Sequence, residues 1–231
     1  DKIMVKRHKY VQNEFNDSDI IWKYYKLPRF LDLLYYQKLY FTRVDKFSDP
    51  NEFPITQKDA RAFHMGIDIY QKEFNRIKQQ TYVNCWRVDN NESFGMWSAY
   101  ANIETGIAIK TTAGRLIASC NDIAGGKNIT IGKVRYIDEK TEMVQVPGMP
   151  LNVFYNVFAK TKPYEYENEL RLAFEDSTNK DNEYQSIDIN LCTLIEEIRV
   201  GAMAHPLFVR MVDGVLKETG INVPVIKSKI K

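Results

Sequence analysis

The chain has few of the residues that build disulfide frameworks, zinc sites or membrane spans. Its three cysteines, Cys85, Cys120 and Cys192, are widely spaced and lie in apolar contexts. This odd, scattered set argues against disulfides and zinc and favours a reducing compartment. The apolar runs are far shorter than a bilayer requires, and no secretory leader is recognisable. We therefore expect a cytoplasmic protein with no membrane partner.

A surplus of either charge is also absent, as are repeats and low-complexity linkers. The formal net charge is +2, which requires neither a nucleic-acid nor a membrane partner. Hydrophobic residues make up 44% of the chain and charged residues 27%, the balance of an ordinary globular protein. We expect a single domain over residues 1–231, with an N-terminal extension at 1–20 and a core from about 22 to 231.

Hydrophobic periodicity predicts alternating helices and strands. Helices are predicted at 27–34, 63–77, 93–101, after Thr112, at 150–160 and at 208–215, with a turn at 49–51. Strands are predicted at 39–44, 82–86, 106–111, 129–137, 143–146, 170–174, 186–189, 198–201 and 223–230. Because strands occur in pairs as well as between helices, we predict an α+β single domain. Its sheet should be mixed or mainly antiparallel and flanked by helices.

Two glutamates at the start of one predicted strand are the first candidate functional residues. Side chains alternate between the faces of a strand, so Glu167, Glu169 and Arg171 point away from the apolar Leu170 and Leu172. Two carboxylates spaced in this way can reach one ligand. The alternative is a solvent-exposed strand face with a weak Arg171–glutamate ion pair.

Arg43 is the second candidate, because it lies where an apolar strand gives way to a polar loop. It shares a strand face with Phe41. Its planar guanidinium can hold a phosphate or carboxylate through two hydrogen bonds. The alternative is an internal ion pair with Asp45 or Asp49.

Aromatic residues crowd the segment from Trp86 to Tyr100, which also contains Phe94 and Trp97. Such rings are able to wall a pocket for a flat ligand ring. The alternative, packing in the core, is the more common role of such residues.

In order and content these segments resemble the bacterial family known as domain of unknown function 2971. The motifs are Trp22-Lys23-Tyr24-Tyr25, Leu39-Tyr40-Phe41-Thr42-Arg43, Asp49-Pro50 with Glu52, Cys85-Trp86, Glu92-Ser93-Phe94-Gly95-Met96-Trp97, Gly106-Ile107-Ala108-Ile109, the strand with Glu167, Glu169 and Arg171, Ile198-Arg199-Val200-Gly201, and Ser228. The resemblance implies a bacterial or phage-related origin and a polar cluster built from these motifs.

A weaker resemblance is to DarT-like ADP-ribosyltransferases, in which a helix and a polar strand precede a later strand that begins with a glutamate. Residues 27–43 and 167–170 resemble these two parts. The resemblance implies NAD as the substrate, a protein or nucleic-acid acceptor, and a role as a toxin or in phage defence. The implied catalytic residues are Glu169 and Glu167, and the implied NAD-binding residues are Arg43, Trp86, Ser93, Phe94, Trp97 and Arg171.

Carboxylates suit that reaction, because breaking the nicotinamide–ribose bond develops positive charge on the ribose. Two other functions stay open. Acidic residues at 45, 49, 52, 167 and 169 are also potential Mg²⁺ ligands of a metal-dependent nuclease or phosphoesterase. A non-catalytic nucleotide-sensing or protein-interaction module is the other alternative. The transferase hypothesis predicts that Arg43, Glu167, Glu169 and Arg171 line one concave site and that activity requires no divalent metal.

Overall fold

A computed structural model describes residues 4–8, 14–47, 49, 52–121, 127–178 and 181–230. The α-helices are α1 (Leu27–Tyr36), α2 (Gln57–Ala62), α3 (Ile67–Lys78), α4 (Phe94–Tyr100), α5 (Ala113–Asn121), α6 (Leu191–Leu194) and α7 (Pro206–Glu218). The strands are β1 (Met4–Arg7), β2 (Ile20–Lys26), β3 (Lys38–Arg43), β4 (Thr81–Val88), β5 (Gly106–Thr112), β6 (Asn128–Lys133), β7 (Arg135–Ile137), β8 (Ala159–Thr161), β9 (Glu169–Glu175), β10 (Tyr184–Asp188), β11 (Glu197–Val200) and β12 (Val225–Lys227). In this part of the chain, no helix combines the length and apolar character needed to span a bilayer.

Within the described residues, ten strands form one sheet in the order β1-β6-β9-β4-β2-β5-β11-β12, with β3 and β10 attached beside β4. Only the β1–β6 and β11–β12 pairs are parallel, whereas the other pairs in this sheet are antiparallel. The predicted α+β fold with a mainly antiparallel sheet flanked by helices is therefore confirmed. A second sheet consists of the parallel pair β7–β8.

The large sheet forks along strand β4. The carboxyl-terminal end of β4 pairs with β2, through Arg87 opposite Trp22, while its amino-terminal end pairs with β3, through Val83 opposite Thr42. Between these two contacts, residues 84–86 pair only with β9 among the described strands. The fork leaves an opening between β2 and β3, and this opening holds the candidate site.

The two faces of the sheet carry different cores. On one face Phe41, Tyr82 and Phe174 belong to the main hydrophobic cluster, and the Tyr82 and Phe174 rings stack at 5.5 Å. On the other face Val83 and Ala173 belong to a smaller cluster with aromatic side chains from α3 and from residues 153–158. This division decides which side chains of β3 and β9 are able to reach the candidate site.

The helix predicted at residues 63–77 starts later, as α3, and a separate short helix, α2, precedes it. Thr56 caps α2 by accepting a hydrogen bond from the Asp59 backbone N–H. The chain then turns through His64, whose φ is 54°, and α3 starts after Gly66. The prediction was wrong here because Phe63 has the spacing of the α3 apolar stripe but lies in the turn.

The segment before β8 also differs from the prediction. Residues 143–146 form no strand, because the Asp59 carboxylate accepts the backbone N–H groups of Val144 and Gln145 at 3.1 and 2.9 Å. Only Val153–Phe158 of the predicted helix at 150–160 is helical, as a 3-10 turn. Lys160 instead lies in the short strand β8. The predicted turn at 49–51 falls largely outside the described residues.

Candidate active site

The opening between β2 and β3 contains a cavity of about 460 Å³. Strand β4 forms its floor, and hydrogen bonds tie the fork to β4 on each side. Lys23 of β2 donates to the Cys85 carbonyl, and Asn84 donates from Nδ2 to the Tyr40 carbonyl of β3, both at 2.7 Å. The lining residues used below are Tyr24, Tyr40, Glu52, Trp86, Tyr100, Lys160, Tyr164, Glu167 and Glu169.

Lys160 lies between three carboxylates in the wall of this cavity. Its Nζ is 2.8 Å from Glu52 Oε2, 2.6 Å from Glu167 Oε2 and 3.2 Å from Glu169 Oε1. All four side chains are buried, and Glu167 and Glu169 are only 4% and 5% exposed. The expected alternative of a solvent-exposed strand face is therefore wrong. Buried charges of this kind persist only when they are paired and hydrogen-bonded.

Arg171 completes the cluster from behind. Its Nε donates to Glu169 Oε2 at 2.7 Å, its Nη1 donates to the Val157 carbonyl at 2.7 Å, and its Nη2 pairs with Glu52. The guanidinium has no exposed surface and does not line the cavity. Arg171 therefore orients Glu169 and Glu52 rather than contacting a ligand, which corrects its expected role in binding NAD.

Two residues with left-handed backbones present the carboxylates to Lys160. Asn168, with a φ of 43°, turns the chain between the 3-10 turn Lys162–Glu167 and strand β9, so that Glu167 and Glu169 both reach the ammonium. Phe53, with a φ of 59°, directly follows Glu52. Asparagine tolerates this conformation, but for a bulky residue such as phenylalanine it is strained, and strain of this kind is concentrated at functional sites.

The cluster moves the pKa values of its two adjacent glutamates in opposite directions. Burial and the hydrogen bond with Glu169 raise the pKa of Glu167 to about 7. Burial alone would also raise the pKa of Glu169, but the positive charges of Arg171 and Lys160 outweigh it and lower that pKa. Burial would lower the pKa of Lys160, and the Glu169 and Glu52 carboxylates raise it instead. At neutral pH Glu169 is ionised, whereas Glu167 gains or loses a proton easily.

Tyrosine hydroxyls surround Glu167 on its outer side. Tyr100 from α4 and Tyr166 donate to Glu167 Oε1 at 3.5 and 3.4 Å. The Glu169 backbone N–H donates to the Tyr136 hydroxyl at 2.9 Å, and the ammonium of Lys160 lies 4.7 Å from the centre of the Tyr164 ring. These contacts fix both carboxylates in place before any ligand arrives.

Arg43 does not belong to this site, and the expectation that it converges with the glutamates is wrong. Arg43 lies opposite Tyr82 in the strand pairing, and Tyr82 lies opposite Phe174. The Arg43 side chain therefore points to the same face of the sheet as Tyr82 and Phe174, which is the face of the main core. There it forms a bidentate ion pair with Asp45 at 2.6 and 3.1 Å. The alternating residues of β3 line the cavity in its place, namely Tyr40 and Thr42.

The four residues of the aromatic segment that were expected to bind NAD lie in different places. Trp86 lines the cavity, while Ser93 caps α4 by accepting the Met96 N–H. Phe94 is 53% exposed and lies outside the cavity, and Trp97 packs edge-on behind Tyr24 at 5.3 Å. Helical geometry explains the outcome, since Met96 and Tyr100, four residues apart, face the cavity together.

Comparison with known proteins supports the resemblance to domain of unknown function 2971 for part of the chain. A family model described as a protein of unknown function (DUF2971) matches residues 96–172, a span that includes Lys160, Glu167, Glu169 and Arg171. No curated protein matches the chain.

Similar solved structures include three of Thermus sp. 2.9 DarT. The complex with NAD+ covers 94% of this chain and 98% of its own, with 10% sequence identity and a TM-score of 0.45. The complex with carba-NAD+ covers 93% and 97%, with 10% identity and a TM-score of 0.43. The complex with ADP-ribosylated ssDNA covers 94% and 97%, with 11% identity and a TM-score of 0.43.

Proposed function

We propose that this chain is an ADP-ribosyltransferase-like enzyme that breaks the nicotinamide–ribose bond of NAD and transfers ADP-ribose to a protein or nucleic-acid acceptor. The observation that carries the proposal is the pair Glu167 and Glu169, joined by Lys160 in the wall of one cavity, with pKa values moved in opposite directions. Titratable pairs separated in this way are typical of sites that need one fixed charge and one group that transfers a proton.

The two carboxylates match the two needs of the reaction. As the bond from ribose C1′ to nicotinamide breaks, its electron pair passes to the pyridinium nitrogen and nicotinamide leaves neutral. Positive charge develops on the ribose, and the ionised Glu169 stabilises it. The acceptor's oxygen or nitrogen then bonds to C1′, and its proton passes to Glu167. No oxidant, reductant or further reactant is needed.

The cavity also suits the size and shape of such a ligand. Its volume of about 460 Å³ falls within the roughly 300–1,000 Å³ typical of small-molecule sites. Rings of Tyr24, Trp86, Tyr100 and Tyr164 line it and offer faces on which nicotinamide can stack.

The metal-dependent alternative is less well supported by the donor set. The ammonium of Lys160 fills the space between Glu52, Glu167 and Glu169, so a divalent cation would have to displace it. Within the described residues, no group of three or more histidine, cysteine, aspartate or glutamate side chains is arranged to hold a metal ion.

A non-catalytic nucleotide-binding module is favoured by one observation. Both carboxylate oxygens of Glu169 already contact a cation, Lys160 on one side and Arg171 on the other. In a purely structural cluster, such pairing would serve only to hold the cavity wall together. Binding of NAD without turnover would support this second candidate.

The test is an assay of NAD turnover with variants of the two glutamates. Wild-type protein is incubated with NAD labelled in its ADP-ribose part and with bacterial lysate, and released nicotinamide and labelled macromolecules are measured. Glu169→Gln keeps the side-chain shape but removes the charge, and should lower the rate by roughly 10²–10⁴. Glu165→Gln is the matched control, because Glu165 lies in the same 3-10 turn but is exposed.

Rates are compared per folded molecule, with thermal melting of each variant as the control. Gln at position 169 loses ion pairs with Lys160 and Arg171, so some loss of stability is expected as well. Wild-type protein that neither binds nor consumes NAD would contradict the proposal. So would Glu169→Gln protein that turns over NAD at the wild-type rate.

A further inference from the structure

A second cavity, of about 270 Å³, continues the first along the fork between β2 and β3. Strand β2, helix α1 and strand β3 provide most of its walls. Six residues line both cavities, so the two form one cleft: Lys23, Tyr24, Tyr40, Thr42, Asn84 and Tyr100.

The two ends of this cleft differ in charge, because carboxylates and cations are mixed at one end and, among the described charged residues, cations alone line the other. The first cavity is lined by Asp49 and the glutamates of the Lys160 cluster, together with Lys160 and Arg87. The second is lined by Lys23, Lys26, Arg29 and Lys38, and no carboxylate lines it among the described residues. A cleft with this polarity favours a ligand whose anionic part lies away from the catalytic carboxylates.

Lys23 is the cation at the junction of the two ends. Its Nζ donates to the Cys85 carbonyl at 2.7 Å and lies 5.5 Å from the Trp86 ring centre. Within the described residues it forms no ion pair, whereas Lys38 pairs with Asp188 at 3.4 Å and Arg29 with Asp32 at 3.9 Å. Burial lowers the pKa of Lys23 to about 8, so it is still mainly cationic at neutral pH. A half-buried ammonium whose hydrogen-bond partner is a neutral carbonyl gains strongly from an anionic partner.

We propose that this basic cavity binds the diphosphate of a nucleotide, with Lys23 as the anchoring cation and Lys26, Arg29 and Lys38 around its rim. A diphosphate matches several cations within one small cavity, and the rings of Tyr40 and Tyr184 offer stacking faces for an attached base. The assignment rests on the proposed function only for the ligand's identity, because diphosphate binding requires no turnover.

The test is isothermal titration calorimetry with pyrophosphate, ADP and ADP-ribose, and with adenosine as the phosphate-free probe. Wild-type protein should bind the three phosphorylated probes more tightly than adenosine. Lys23→Met, which keeps the aliphatic stem but removes the charge, should weaken ADP binding by at least about tenfold, as expected for a lost charge-assisted hydrogen bond. Lys23→Arg should retain most of the affinity. Lys217→Met, at an exposed position in α7, is the control and should bind like the wild type.

Unchanged ADP affinity in folded Lys23→Met protein would overturn the proposal, as would adenosine that binds as tightly as ADP. If Lys23→Met does not fold, the double variant Lys26→Gln/Arg29→Gln tests the same cavity at two exposed positions and should weaken pyrophosphate binding. A single-stranded oligonucleotide whose binding depends on Lys23 while ADP-ribose binding does not would also overturn it. If the wild type turns over no NAD but Lys23→Met still loses ADP binding, the transferase proposal is contradicted and the diphosphate site is supported.

Discussion

Replacing Lys160 with methionine would leave three buried glutamates with Arg171 as their only ion-pair partner in the cluster. In the wild type, Lys160 and Arg171 supply two positive charges to Glu52, Glu167 and Glu169. Since the pKa of Glu167 is about 7, its partial protonation brings the wild-type cluster close to neutrality. Without Lys160, the variant reaches the same balance only if roughly one more carboxylate binds a proton.

The cost of that proton can be worked out from the ordinary pKa of a glutamate. Holding a proton at pH 7 on a group whose unfolded pKa is about 4.3 costs roughly 4 kcal/mol, at 1.36 kcal/mol per pH unit. At pH 5 the same proton costs about 1 kcal/mol. The sign follows from linkage: the folded variant binds more protons than its unfolded chain, so its stability rises as pH falls toward 5. Lys160→Met should therefore be destabilised by about 4 kcal/mol at pH 7 and about 1 kcal/mol at pH 5 relative to the wild type.

Urea unfolding followed by tryptophan fluorescence at pH 5 and pH 7 measures both values. Lys162→Met is the matched control, because Lys162 forms an exposed ion pair with Glu142 at 2.9 Å, and should change the stability by less than about 1 kcal/mol. A variant too unstable to fold at pH 7 is still measurable at pH 5. A loss for Lys160→Met below about 1 kcal/mol at pH 7, or an equal loss at both pH values, would refute the reasoning.

Three further predictions concern Glu167, Asn168 and Arg43. If Glu167 takes the proton of the acceptor, kcat/KM for ADP-ribosyl transfer should rise with pH through about 7, because the ionised carboxylate is the active base. Glu167→Gln should lower the rate and remove this rise. A variant with the pH profile of the wild type would contradict the role of Glu167. Asn168→Val should lower the folding stability by about 1–2 kcal/mol, because valine is strained in the left-handed backbone of this position, and should also lose the hydrogen bond to the Val88 carbonyl. Asn168→Gly should lose only the hydrogen bond. Equal melting temperatures for the two variants would count against this strain. Arg43→Lys should lower the melting temperature by weakening the Asp45 pair yet leave ADP affinity per folded molecule unchanged, and a loss of that affinity would return Arg43 to the site.

Some of the site could be predicted from the sequence because it depends on strand alternation. Glu169 and Arg171 do share a face of β9, as the period of two requires. The same alternation also determines the face on which Arg43 lies. A residue that shares a face with the fully buried Phe41 faces the core, so Tyr40 and Thr42 had to face the opening.

Lys160 could not be predicted in the same way. The mostly apolar residues 153–158 before it fit a buried helix as well as any other structure, and strands as short as β8 have too few residues to show a period. Its position depends on long-range contacts, such as the pairing of Glu52 with Lys160, which local sequence does not encode. Glu52 was among the acidic residues expected as potential Mg²⁺ ligands, whereas no pattern in the sequence indicated its partner Lys160.

The fork of the sheet also depends on long-range pairing. Strand β4 was predicted as one short strand, and nothing in residues 81–88 indicates that its two ends pair with different neighbours. Residue patterns predict which face a side chain occupies, but not which strand lies next to it. For this reason the cleft, and the place of Lys23 at the junction of its two ends, emerge only from the assembled sheet.

A crystal structure of Glu167→Gln protein soaked with NAD would show directly where the substrate binds, because this variant should bind the substrate and turn it over slowly. The nicotinamide ribose should lie beside Glu169 in the larger cavity, and the diphosphate beside Lys23 in the smaller one. NAD bound with its ribose away from Glu169, or on a surface outside the fork between β2 and β3, would contradict it.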